Sequence, residues 1–339
     1  MDSGDLIVER LGSAGFITLN RPRALNALTL EMTRAIAAAL IAFEADPAVL
    51  RVVIKAAGDR AFCAGGDIRA LYDWGRAGRA DLQIGFWREE YSLDWRLARY
   101  PKPVVALCDG LTMGGGVGLF IHAAHRIVTE RAKFAMPEVG IGFFPDVGAT
   151  HVLARAPRHI GDFLAVTGLD ADAADMMALG LATRSVARAD LAALEAALAG
   201  EGAPGDVASA TLAPSRLLAE AATIEAAFSA QGRAAIMARL AASSSSFAAE
   251  ALAAMRQKCP TSQEVALRQI AEARGSTLAQ TLRRDFRIVC NFGTGPEFLE
   301  GIRAAVVDKD RAPKWAPFDP AVVARAFAPL GAGELILHD

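Results

Sequence analysis

The chain carries almost no net charge: 36 Lys and Arg face 38 Asp and Glu over 339 residues, a formal charge of −2. So weak a field gives no general attraction for nucleic acid or an anionic membrane surface. Long apolar runs are missing as well. "AIAAALIAF" is followed at once by "EADP", so no segment reaches the length that crosses a bilayer. The opening "MDSGDLIVER" is acidic and lacks the apolar stretch of a secretory leader, so a cytoplasmic location is expected. Cysteine is scarce: Cys63, Cys108, Cys259 and Cys290 form no CxxC pair, which argues for a reducing compartment and against structural zinc. His122 and His125 lie three apart with no third ligand pattern beside them, so they read as packing or surface histidines and no metal is expected. Nucleotide fingerprints are absent too. There is no G-x-x-x-x-G-K-[ST], and Leu119 stands where a third glycine would complete a G-x-G-x-x-G begun at Gly114 and Gly116.

What is present is a globular composition, 53% hydrophobic and 22% charged, in a chain long enough for one large domain and a smaller one. The first half alternates strand-like and helix-like stretches. "GFITLNRP" runs from β-branched and aromatic residues into Asn and Pro, as a strand entering a turn does. "TLEMTRAIAAALIAFEADP" has helical spacing, with Thr29 as N-cap and Asp46-Pro47 as the stop. "RVVIKAAG" and "KPVVALCDG" read as buried strands, and "RIVTERAKFAMPE" as one or two more. The alternation predicts an α/β architecture. From about Asp206 strand signals vanish and Ala-, Leu-, Arg- and Glu-rich helical periodicity takes over, with "LAGEGAPGDVA" as the linker. Two regions are therefore expected, a core over 1–205 and a helical part over 206–339. The run Ser243–Ser246 reads as a loop or helix cap.

Three stretches carry the chemistry: "AFCAGGDI" (61–68), "DGLTMGGGVGL" (109–119) and "MPEVGIGFFPD" (136–146). In the first two a buried strand meets a glycine cluster before a helix-like segment. Glycine lets backbone N–H groups approach a ligand closely, and two such groups converging from separate turns would form an oxyanion hole. Each cluster alone reads better as tight strand–helix packing; taken together with the acid strip they do not. In the third stretch Glu138 and Asp146 bracket an apolar strip. Phe134, Met136, Val139, Ile141, Phe143 and Phe144 would surround Glu138 with apolar surface, raising its pKa. Asp146 reads alternatively as a turn residue in a type I turn after Pro145, and Asp67 as a cap for the glycine turn.

Together, "AFCAGGDI", "KPVVALCDGLTMGGGVGL" and "FAMPEVGIGFFPDVGAT" resemble the enoyl-CoA hydratase/isomerase (crotonase) superfamily. The likeness runs from "ITLNRPRALNALT" to "IRAAVVDKDRAPKW". "REEY" (88–91), "GIGFFPDVG" and "DKDRAPKW" are particular to its hydrolase branch. The resemblance implies a spiral of stacked ββα units followed by a helical C-terminal region. It also implies hydrolysis of a short 3-hydroxyacyl-CoA thioester, 3-hydroxyisobutyryl-CoA foremost, in valine catabolism. No separate cofactor is implied, since CoA is part of the substrate, and the family's habit of trimerising makes self-association an expectation. The family's oxyanion donors fall on Gly66 and Gly115, and its acids on Glu138 and Asp146. Glu90 matches a substrate-contacting position. Arg23, Ala24 and Leu25 fall where relatives line the CoA adenine site, with Ala64 and Asp67 on the first glycine turn. Hydratases of this family use a second glutamate three residues after the middle glycine. That position is Gly118 here, which weakens the hydratase reading; the alternatives are a hydratase or isomerase using Glu138 alone and a non-catalytic acyl-CoA binder.

Overall fold

Apolar runs rich in Val and Ile become the middle of a six-stranded sheet in the computed structural model, which describes residues 4–338. In chain order the strands are β1 (Leu6–Leu11), β2 (Ala14–Leu19), β3 (Arg51–Ala56), β4 (Ala61–Cys63) and β5 (Val104–Cys108). They continue with β6 (Leu111–Met113), β7 (His125–Val128), β8 (Lys133–Ala135), β9 (Ala171–Asp172) and β10 (Arg184–Ser185). The large sheet has the order β1-β2-β3-β5-β7-β10. Only β1 is antiparallel to its neighbour; beyond it Val52 pairs with Val104, and Val105 with His125, in parallel register. Strands β2 and β5 are buried along their whole length, as parallel strands covered on both faces are. One face packs on the helix Leu191–Ala199 through Phe16, Val53, Val105 and Leu194. The other face joins the main core.

Strands β4, β6, β8 and β9 form a smaller sheet in that order, the first three parallel. Each pair β3–β4, β5–β6 and β7–β8 steps from the large sheet to the small one, so one plan is used three times. This is the ββα repeat expected from the sequence. Four helices position the site: α1 (Leu30–Ala45), α2 (Ile68–Arg76), α3 (Ala80–Ala98) and α4 (Gly115–Ile121). Thr29 caps α1 as expected, its hydroxyl accepting from the Met32 N–H at 3.1 Å.

Among the described residues no strand follows Ser185, and the chain continues in helices. Ser245 caps the helix Ser246–Arg256 by accepting from the Phe247 N–H. The helices Pro260–Ala273, Leu278–Ile288 and Pro296–Ile302 share one apolar core with the first half. Buried amides tie the halves together. Gln263 Nε2 donates to the Val166 carbonyl at 2.9 Å, and Gln269 Nε2 to that of Pro145 at 2.8 Å. The "DKDRAPKW" segment is a clamp of another kind. Arg303 Nη1 reaches Asp308 and Asp310 at 2.6 and 2.7 Å while Nε holds Glu300 at 2.8 Å, folding the segment back on Pro296–Ile302.

Candidate active site

Parallel neighbours β4, β6 and β8 end on the same edge of the small sheet, and each is followed by one of the three stretches that carry chemistry. Crevices at the carboxyl ends of parallel strands are where α/β folds gather ligand groups. The turn after β4 holds Ala64–Asp67, that after β6 holds Gly114 and Gly115, and that after β8 holds Pro137 and Glu138. The first two turns touch: a Cβ built on Gly65 would lie 3.5 Å from the Gly115 nitrogen. Gly65 has φ +99 and Gly114 φ +48, conformations that exclude other residues at little cost only for glycine. On either side of Gly66, the Leu28 N–H bonds to Gly65 and the Asp67 N–H to Leu28, so the Gly66 N–H itself is passed over. Gly115 begins α4, so its N–H has no acceptor within the helix. The family resemblance puts its two oxyanion donors at these positions.

Acids surround them. Glu138 is 7% exposed, opens a short 3₁₀ turn over Glu138–Ile141, and its Oε2 has no hydrogen-bond partner. Its Oε1 sits 3.2 Å from where a Cβ of Gly114 would be. Burial first, and then the like charge of Asp146, push the Glu138 carboxyl well above its usual range. Asp146 is 4% exposed and accepts from the Tyr91 hydroxyl at 2.7 Å. Burial raises it to about 7, with the Tyr91 bond opposing. Glu90, on α3 and 3% exposed, lies against Gly115, a Cβ there falling onto Oε1 and 3.3 Å from Cδ. Its Oε1 is unpartnered, and burial followed by Asp146 raises its pKa well above the usual value.

Asp146 is held by a strained turn. The turn spans Asp146–Ala149, with the Ala149 N–H bonded to the Asp146 carbonyl at 2.8 Å. Both central residues are left-handed, Val147 at φ 52 and Gly148 at φ 74, so it is not the type I turn expected after Pro145. A β-branched residue in that region costs on the order of 1–3 kcal/mol. Tertiary bonds hold it: His122 Nε2 meets the Val147 carbonyl at 2.8 Å, and the Gly148 N–H donates to buried Asp285 at 2.9 Å. Burial lifts Asp285 to about 7, and Gln269 Nε2 donates to its other oxygen at 2.6 Å.

Gly66, Gly115, Glu138, Asp146, Glu90 and Ala64 all line one cavity of about 310 Å³. Its apolar wall is an aromatic stack in which Phe143 meets Trp87 at 5.3 Å and Phe298 at 5.0 Å between ring centroids. Arg23 and Ala24 form the exposed end of the Pro22–Ala24 turn, half-buried Leu25 follows it, and none of the three lines the cavity. They are attached to it indirectly, since the Ala64 N–H bonds to the Leu25 carbonyl at 3.0 Å. Asp67 is also off the wall. Its carboxylate caps α2 through the Ala70 N–H and pairs with Arg21 at 3.1 Å.

Sequence reasoning missed four groups: Tyr91, Asp94, Asp285 and Lys258. Asp94 stands one helical turn after Glu90, a spacing that by itself reads as a solvated helix face. Lys258 lines the cavity over Gly140, its ammonium 3.2 Å from a Cβ built there, and burial lowers its pKa. Nothing local in the sequence marks it.

Residues 14–328 match the family model for enoyl-CoA hydratase/isomerase. The 3-hydroxyisobutyryl-CoA hydrolase, mitochondrial, of Rattus norvegicus is 41% identical over 331 residues, 94% of this chain and 86% of that protein. The protein of that name from Homo sapiens is 39% identical over 328 residues, 93% and 85% of the two chains. Among solved structures, an enoyl-CoA hydratase from Rhodobacter sphaeroides superposes with a TM-score of 0.94 at 43% identity, covering 98% of this chain and 100% of that one. A carnitinyl-CoA dehydratase from Mycobacterium thermoresistibile gives 0.93 at 37% identity and 98% coverage of both. The relatives' names correct the expectation of a cytoplasmic location, pointing to mitochondria instead.

Proposed function

The chain belongs to the enoyl-CoA hydratase/isomerase family, and from that premise we propose that it hydrolyses 3-hydroxyisobutyryl-CoA to 3-hydroxyisobutyrate and CoA. The observation that carries the reading is the meeting of three turns on one cavity, with two orphan N–H groups and an unpartnered buried carboxylate. The thioester carbonyl oxygen lies between the N–H groups of Gly66 and Gly115. Negative charge building on it is held by donors already in place, usually the largest single contribution to such a rate. Glu138 either attacks the carbonyl carbon, breaking the C–S bond to expel CoA thiolate and giving a mixed anhydride that water then opens, or takes a proton from an attacking water while the C–S bond breaks and the departing sulfur takes up a proton. Asp146, fixed by Tyr91 and the left-handed turn, and Glu90 hold the acyl end and its hydroxyl. The aromatic wall excludes bulk water.

The solved neighbours titled hydratase and dehydratase keep a second reading in play, and position 118 favours the hydrolase: glycine has no side chain to move a proton. CoA release from 3-hydroxyisobutyryl-CoA, measured beside hydration of crotonyl-CoA, separates them. Thiol release should dominate, and fast hydration with negligible thiol release would sink the hydrolase. Isobutyryl-CoA, which lacks the hydroxyl, should be turned over roughly 100-fold less well because buried acids then go unpaired. The working carboxylate must be ionised, and burial lifts Asp146 to about 7 and Glu138 well above its usual range. Activity should therefore rise with pH along a limb centred well above the usual carboxylate range. A limb centred near pH 4–5 would remove Glu138 from its role.

A further inference from the structure

Helices α3 and α4 meet along two acids and two glycines. Glu90 and Asp94 are one turn apart on α3, and Gly115 and Gly118 are one turn apart on α4. Glu90 fills the space of a side chain at 115. Asp94 fills that at 118, where a Cβ would overlap Oδ1 and lie 2.9 Å from Cγ. Asp94 is 1% exposed, its Oδ2 has no partner, and no cation pairs with it among the described residues. Charged groups face it from every side with one sign: Glu90 on its own helix, Asp146 from the left-handed turn, and Asp285 from Leu278–Ile288. Successive positions on one helix face are roughly 5–6 Å apart, so the Glu90 and Asp94 carboxyls are close enough to feel each other strongly.

We propose that Asp94 is a positioning residue for the acyl end of the cavity, acting through Glu90, and that position 118 is glycine in order to admit it. The inference rests on the hydrolase reading above, since it assigns the acyl hydroxyl to Glu90. Two buried acids with no cation between them do not both ionise at neutral pH. Asp94 lies behind the cavity wall and keeps the proton. Glu90, on the wall, is left as the acceptor for the substrate hydroxyl. Burial and then Glu90 push Asp94 well above the usual carboxylate range, consistent with that division.

The test is Asp94→Asn, which keeps the shape and removes the acid. KM for 3-hydroxyisobutyryl-CoA should rise about tenfold, one hydrogen bond's worth of discrimination. KM for isobutyryl-CoA should stay within about twofold, because it has no hydroxyl to position. The acid limb of kcat/KM should keep its position, because a protonated acid is exchanged for a neutral amide. Equal losses on both substrates would mean a merely structural role, and no change on either would remove any role; both results overturn the proposal. Asp94→Ala with Gly118→Ala refills the space without an acid and is read identically if the asparagine variant does not fold. Wild type is assayed first. If it releases no CoA the hydrolase reading has failed by itself, and the same two thioesters are then compared by Kd, where an unchanged ratio in Asp94→Asn overturns the positioning role.

Discussion

Glu138→Gln is expected to lower CoA release by about 10³-fold or more, because amide nitrogen neither attacks a thioester nor accepts a proton from water. Binding should survive, since Gln fills the same space beside Gly114 and the two backbone donors remain. The same variant carries its own folding control. In wild type the Glu138 pKa is raised above its unfolded value by burial, with Asp146 adding to it. Stability from that group is therefore fully present below about pH 4.5 and is lost as pH climbs toward the raised value. Glutamine does not titrate, so the Tm of the variant minus that of wild type should grow more positive from about pH 5 upward. A melting series at several pH values checks this beside the thiol assay. An active variant would dismiss the assigned role. A difference in Tm that shrinks with rising pH would dismiss the electrostatic picture of the pocket.

The second large effect separates a donor from the space around it. Gly115→Pro deletes the N–H that faces the carbonyl oxygen, at a position where proline suits helix geometry because the first turn has no bond to lose. Any side chain at 115 also meets Glu90 Oε1. Gly115→Ala therefore shares the crowding and keeps the donor, so the ratio between the two variants isolates the hydrogen bond. Losing one such donor should cost about 10²–10³ in kcat beyond the alanine variant, roughly 2.7–4 kcal/mol. Circular dichroism confirms folding of both. Equal activity in the pair would take Gly115 out of the oxyanion hole.

Much of the candidate site was legible because its turns share a local grammar. A short apolar strand followed by glycines or Pro-Glu appears three times, and the three strands prove to be neighbours. That adjacency itself is not written locally, since Ala61 and Leu111 pair across about fifty residues. Asp94 was hidden for a related reason. A charge one turn from another on a helix reads as a solvated face, and only the approach of two glycines on α4 shows it to be buried. Val147 was misleading in the opposite sense. Proline before Asp146 suggests an ordinary turn, whereas bonds from His122 and Asp285, each remote in sequence, hold a β-branched residue left-handed. Lys258 and Phe298 come from the helical half, where periodicity marks a face without saying what it touches. "DKDRAPKW" was informative as a motif, and its two aspartates hold Arg303 rather than line the cavity.

The seating of Asp94 against Gly118 has a consequence for ancestry. A glutamate introduced at 118 would enter a volume already filled by the Asp94 carboxyl, so the two side chains compete for one space. Shrinking position 94 alone would leave a void beside α4. The residues at 94 and 118 are therefore expected to change together, and the pair taken jointly marks which helix supplies the second acid.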